Sequence, residues 1–404
     1  ALVPFAIATT IGLALLWPSG KGPDLQRGGT FEEFEATVTE VTPRECPDIP
    51  GQENFKCSGV TVRLNEGEDA GDTFTVDYSA GPRTRLVEVG DAVVVGTAGG
   101  SPAPATPGAP TPSEYFLVDF DRRMPLIVLA VVFSIFVIAL SRWRGFAALA
   151  GLAVSLLVLI RFVLPAILDG KDPLLVALVG GAAIMFLALY LAHGLNAATT
   201  TAVLGTLASL LLTGLLALFF VNLAIFTGAG TEEAAFLQIN QQQVNLQGLL
   251  LASIVIGTLG VLDDVTVTQA SAVWELQRAN PDYGIRNLYR AGIRIGRDHI
   301  ASTVNTLVLA YAGASLPLLI IFSVSNRALG QILNTETVAE EIVRTLVGSI
   351  GLVASVPITT GLAALVVTSG HRGSSKERPP KERTRDPDFV PPRRERDFRE
   401  GDGG

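Results

Sequence analysis

Two adjacent carboxylates, Asp263 and Asp264, stand near the end of an apolar run that begins around Leu246. An ionised aspartate in hydrocarbon costs roughly 2.5–3.5 kcal/mol even on the lenient insertion scale, so a pair at that depth calls for chemistry or for water. At about 100° per residue, Ser253, Gly257, Gly260, Asp264, Thr268, Ser271 and Glu275 fall on one narrow helical face. Val255, Leu262, Thr266 and Val273 lie on the other side. This small and polar seam is expected to face other helices or water. A second group opens a later run: Gly296-Arg297-Asp298-His299, with Asp298, Ser302 and Asn305 recurring at i, i+4 and i+7. The two seams together would offer oxygen ligands to a hard cation or to a proton. The plainer readings are a helix-end pair in cytoplasmic water for Asp263 and Asp264, and for Asp298 an acid favoured by a helix N-terminus.

Around these groups lie residues suited to line a path: Gly257, Gly260, Gln269, Thr199 and Thr206. The run Thr199-Thr200-Thr201 leads into a helix whose Ala202, Thr206, Ser209 and Thr213 share a face, a pattern that also serves close helix packing. Arg286, Arg290, Arg294 and Arg297 form the basic face of an amphipathic helix, suited to anionic lipid or, as the sharper reading, to an anionic solute. Cys46 and Cys57 sit in one polar segment with no histidine near, so a disulfide is expected rather than zinc. The three histidines are scattered, and neither a phosphate-binding glycine loop nor a nucleophile elbow is present. The chain is therefore read as no enzyme with no resident cofactor, a bound cation of unknown identity aside. An Asp pair beside arginines leaves one weaker rival, a Mg²⁺-dependent lipid-phosphate enzyme.

The elements that must position these groups follow from composition. The chain has 404 residues, 49% hydrophobic and 17% charged, which with repeated apolar runs places it among multi-pass membrane proteins. The net charge of −8 is spread unevenly, and no large basic surface outside the tail speaks for nucleic acid. Residues 1–18 read as a first membrane helix, retained rather than cleaved. Seven further spans are expected at 124–141, 145–166, 173–192, 199–221, 246–275, 299–323 and 341–367. The span at 246–275 is long, so it either breaks near Gly257 and Gly260 or protrudes from the bilayer. Arginines after the second span, between the sixth and seventh, and after the last place both termini in the cytoplasm. Residues 30–120 differ in kind. Strand-like segments at Phe34–Val41, Val60–Leu64, Asp72–Tyr78, Asp91–Thr97 and Glu114–Phe120, with a Pro/Gly-rich linker at 99–113, predict an extracytoplasmic OB-like barrel. Residues 372–404 are charged and Pro-rich and are expected to be a disordered cytoplasmic tail.

Several blocks resemble the YibE/YibF family of bacterial multi-pass membrane proteins. They are Gly257-Thr-Leu-Gly-Val-Leu-Asp263-Asp264-Val-Thr-Val-Thr-Gln-Ala-Ser, Gly296-Arg-Asp298, Asn305-Thr-Leu-Val-Leu-Ala-Tyr-Ala-Gly313 and Glu341-Ile-Val-Arg344-Thr-Leu-Val-Gly348-Ser-Ile-Gly351. The resemblance covers roughly 124–368 and implies a bacterial plasma-membrane protein; the family brings architecture more than mechanism. The doubled Asp leaves two positions for the family's single one, and Asp264 is preferred because it shares the glycine seam.

The expectation is thus an α-helical polytopic bundle of about eight helices with an inserted outer β domain. It would move a small inorganic ion or polar solute, proton- or cation-coupled through Asp263, Asp264, Thr268, Asp298, Ser302 and Asn305. Its partners would be the bilayer, the solute and a second copy of the chain. The rival from another class is a non-transporting envelope protein whose outer domain binds a partner.

Overall fold

The computed structural model describes residues 2–19, 31–46, 55–67, 69–98, 115–240, 244–325 and 327–374. The expected linker lies outside these residues, as does the tail beyond Ser374; the helix before the tail runs on to that residue. The chain builds a helical bundle and one antiparallel sheet.

The sheet has five strands: β1 (Phe31–Arg44), β2 (Lys56–Leu64), β3 (Thr73–Ala80), β4 (Ala92–Ala98) and β5 (Tyr115–Phe120). Their order is β3-β2-β1-β4-β5. Alternation decides the inside: Val60, Val62 and Leu64 of β2 point with Val76, Val93 and Val95 into one apolar core. The long β1 pairs β2 with its second half and β4 with its first, and its register shifts between Val38 and Glu40. That bulge curls the sheet, so its edges approach: the Phe74 ring of β3 lies 4.4 Å from Tyr115 of β5. Cys46 and Cys57 form the expected disulfide, with their Cα atoms 5.1 Å apart.

The helices are α1 (Leu2–Leu16), α2 (Arg123–Ser141), α3 (Trp143–Val158), a π-helical turn Leu159–Val163, α4 (Leu164–Leu168), α5 (Pro173–His193), α6 (Ala197–Leu223), α7 (Glu232–Asn240), α8 (Leu246–Ala279), α9 (Ile285–Ala314), α10 (Leu316–Ser323), α11 (Leu329–Leu333) and α12 (Glu336–Ser374). Three long helices start at side-chain caps. Asp172 accepts from Leu175 N at 2.8 Å, Asn196 from Thr199 N at 2.8 Å, and Asn245 from Gly248 N at 3.0 Å.

Six helices, with α3, the π turn and α4 taken as one, are long and apolar enough to cross a membrane. The bent pair α9–α10 makes a seventh, and α1 is a shorter apolar helix. One of two open alternatives falls here, and one expectation changes. The long span does not break at Gly257–Gly260: α8 runs unbroken for 34 residues, because helical glycines cost little when nothing else disrupts the ladder. The break falls in the next span, where α9 and α10 meet at 66° around Ser315 ahead of Pro317. The amphipathic arginine segment is also no separate helix; it is the first half of α9.

α6, α8 and α12 form the centre. Met185, Leu210, Val255, Leu262 and Leu352 meet in its core. Small residues let backbones approach: a Cβ on Gly348 would meet the Thr258 methyl at 2.5 Å, and Gly205 sits against Thr359. At the end where β5 enters α2, Arg122 bonds Asp119 at 2.6 Å and holds that carboxyl below its ordinary range. Glu35 of β1 meets Arg123 of α2. The turns after α4, α6 and α10 and the start of α12 lie at this same sheet end. Arg144, His193 and Arg278 lie at the far end, around one cavity.

Candidate functional site

The seam of α8 is where the structure is most informative. Val255, Leu262, Thr266 and Val273 are buried in the bundle, as their face predicts. Gly257, Gly260, Asp264, Thr268, Ser271 and Glu275 are all exposed, so the seam forms an open side of α8. Gly260 has nothing within 4 Å of where a Cβ would stand, whereas Gly257 faces the Tyr311 hydroxyl of α9 at 3.0 Å.

Asp264 is reached from α9 by His299, not by Asp298. His299 Nε2 lies 3.9 Å from Asp264 Oδ2, with the Asp264 side chain 70% exposed. That gap is too wide for a hydrogen bond but close enough for an ion pair once the imidazole is protonated. His299 Nε2 and one oxygen of the neighbouring Asp263, Oδ1, are buried without a hydrogen-bond partner. Buried polar atoms are normally bonded, so these two are exceptions. Sequence reasoning missed His299. The signal was there, since it adjoins Asp298 at the head of a polar seam.

Asp298, Ser302 and Asn305 are exposed on α9. Among the described residues Asp298 makes no ion pair, so the structure brings the second seam to the first through His299 and Tyr311. α9 itself touches the bundle along a single stripe, in which Leu288, Gly292, Gly296 and Leu307 are buried. A Cβ on Gly296 would fall 2.9 Å from the Gln269 side-chain oxygen, and one on Gly292 would fall 2.7 Å from the Thr360 methyl. Gln269, expected to line a path, is instead a brace. It is buried and donates from Nε2 to Gly292 O at 2.8 Å and to Thr360 Oγ1 at 2.7 Å, tying α8, α9 and α12 together.

Thr206 is likewise internal, sharing a 2.6 Å hydrogen bond with Thr266 of α8. Thr199 borders a cavity of about 470 Å³ at the far end. Arg144, His193, Asn196, Ser271, Trp274, Glu275 and Arg278 complete most of its wall, and Glu275 and Arg278 are paired at 2.7 Å. The seam of α8 thus runs into this cavity. Arg286, Arg290, Arg294 and Arg297 are exposed and make no ion pair among the described residues. No group of three or more His, Cys, Asp or Glu side chains among the described residues is placed to hold a metal ion.

A family model described as YibE/F-like protein matches residues 129–369, more than half of the chain. The chain belongs to the YibE/F-like family. The match begins in α2 and ends in α12, so it takes in every long helix of the bundle and leaves out the sheet. Asp264, His299 and the Gln269 brace all fall inside this YibE/F-like region. No curated protein and no solved structure matches the chain significantly.

Proposed function

We propose that this YibE/F-like chain is a transporter that moves a small ion or polar solute with proton coupling at Asp264 and His299. One observation carries the reading: a carboxylate and an imidazole from two adjacent membrane-length helices stand 3.9 Å apart on a polar seam that opens into a cavity. Proton transfer between them would make and cancel an ion pair without moving a helix, so a local change of charge can be coupled to the seam beside it. Thr268 and Ser271 carry the path from Asp264 toward the far end, and Ser302 and Asn305 continue it from His299 toward the sheet end. Anionic headgroups at the membrane surface are the natural partners of the α9 arginines.

The same reading places the bundle in a bacterial plasma membrane, the far end toward the cytoplasm, and the curled sheet outside as an OB-like barrel. It gives the chain no catalytic centre. A second copy covering part of the open seam is compatible with it, since small and hydroxylated residues suit close helix contact.

The test is proton flux into vesicles holding a trapped pH-sensitive dye under an imposed gradient. Wild-type protein should collapse the gradient faster than empty vesicles, and Asp264→Asn should remove at least about tenfold of that excess, a loss of the size seen when one interaction near 1.4 kcal/mol or more is deleted. Unchanged flux in folded Asp264→Asn protein would discard the site.

A further inference from the structure

The sheet end of α12 carries a second pair of carboxylates that the transport site does not use. Glu336 is the first residue of the helix, and its Oε1 accepts from Thr227 N at 2.6 Å, Thr227 Oγ1 at 2.8 Å and Gly228 N at 2.9 Å. One turn on, Glu340 is only 3% exposed. Among the described residues no N–H or O–H group makes a hydrogen bond to its buried Oε1. Its carboxyl lies within hydrogen-bonding reach of the Glu336 carboxyl and of the Gly230 backbone.

Other groups around the pair do not neutralise it. Arg344, one turn further along α12, attracts Glu340 through space, but its guanidinium is paired with Glu341 at 2.8 Å, and its Nε is itself buried without a partner. Tyr311 of α9 is within electrostatic reach of Arg344 and Glu341. The loop over the pair supplies only uncharged groups, with Thr337 Oγ1 donating back to Gly230 O at 2.5 Å. Glu232 and Glu233 at the start of α7 are exposed, and α11 brings no charged side chain.

Two ionised carboxylates are both acceptors, so contact between them is a repulsion unless something positive lies between. Among the described residues Arg344 acts on Glu340 only through space and Gly230 only through its backbone, so no cationic side chain is bonded to Glu340 Oε1. The smallest occupant that fits a direct contact between carboxyl groups is a proton, bound to one and donated to the other. We propose that Glu336 and Glu340 form a dyad holding one shared proton, the point at which the sheet end of the bundle loads and releases protons. Binding takes the pair from two negative charges to one and breaks no bond. Its use in transport rests on the reading above; its existence does not.

The experiment uses the full-length protein in lipid nanodiscs and a hydrophobic carbodiimide, which reacts with a protonated carboxyl sheltered from water. Mass spectrometry of the α12 peptides should find the adduct on Glu340 or Glu336 at neutral pH and none on the paired Glu341. Above the dyad's titration point the yield should fall about tenfold per pH unit, as the protonated fraction does. Glu336→Gln should change the pH at which this fall begins, because the surviving carboxyl then titrates beside a neutral amide. No adduct on either residue in folded wild-type protein overturns the proposal. Protection by Na⁺ or K⁺ at constant pH and ionic strength also overturns it, in favour of a metal cation. Because labelling is read without any flux, loss of transport in Asp264→Asn with labelling intact would separate the fate of the two sites.

Discussion

Gln269 shows how a single polar side chain can be read in two ways. On the sequence it follows Asp263 and Asp264 in one polar block and looks like a path residue; in the fold it bonds α9 and α12 at once. Replacing it with Leu keeps the volume but leaves the Gly292 carbonyl without that donor. Hydrogen bonds between membrane helices are worth about 0.6–1.7 kcal/mol each, so Gln269→Leu should lower stability by roughly 1–3 kcal/mol. Thermal unfolding in detergent measures this, and a midpoint equal to wild type would show that the brace contributes nothing. The residue scale was only partly legible. Periodicity put Asp264 on a seam with Gly257 and Gly260, and the structure keeps them together. It could not say which neighbour would reach Asp264, because the approach of His299 depends on how α9 crosses α8. Glu336 and Glu340 were hidden for a similar reason. Acids at a helix start are ordinary in sequence, and only the loop Thr227–Gly230 folding over them makes the pair unusual.

At the scale of elements, α9 depends on two glycines four residues apart. Gly292 and Gly296 bring its backbone against Val273, Thr360, Val356 and Gln269, and the rest of the helix has few buried residues to hold it. A β-branched side chain at Gly296 must push α9 outward, which should widen the gap between His299 and Asp264. In an Asp264→Cys, His299→Cys protein a short bifunctional thiol cross-linker should join the two thiols in good yield. Adding Gly296→Val should cut that yield severalfold while the helix content by circular dichroism stays the same. An undiminished yield would mean that α9 is positioned elsewhere along its length. Composition made the long spans legible, since roughly 20 apolar residues need little context to be recognised. The joints were harder. Pro317 was visible, but a proline either kinks a span or is tolerated, and only the fold shows the 66° turn at Ser315. The arginines at 286–297 read as a separate surface helix because charge and hydropathy change there, yet the backbone carries straight through.

The molecule as a whole joins a disulfide-tied sheet to a bundle with one open polar side, and each half can be probed through its cysteines. Cys46 and Cys57 close a short loop with a sequence separation of 11. On the chain-entropy account such a link contributes about 3 kcal/mol, so Cys57→Ser should lower the sheet's unfolding midpoint and leave the bundle's helical signal unaffected. A shared shift of both transitions would show that sheet and bundle unfold as one unit. The chain has two cysteines and both are in this bond, so a cysteine placed on the bundle is the single free thiol. That permits a direct test of the open seam. A water-lined path requires Gly260→Cys, Thr268→Cys and Ser302→Cys to react with a charged, membrane-impermeant thiol reagent, since the thiolate forms only where water reaches it. Leu129→Cys, on an exposed apolar position of α2, should react far more slowly because lipid covers it. If the seam cysteines were as inert as Leu129→Cys, the polar face would be closed against another protein surface, and the solute would need a route that avoids α8. If they react, and Asp264→Asn lowers the rate of a cationic reagent at Thr268→Cys relative to that of an anionic one, the carboxylate and the water column beside it belong to one path.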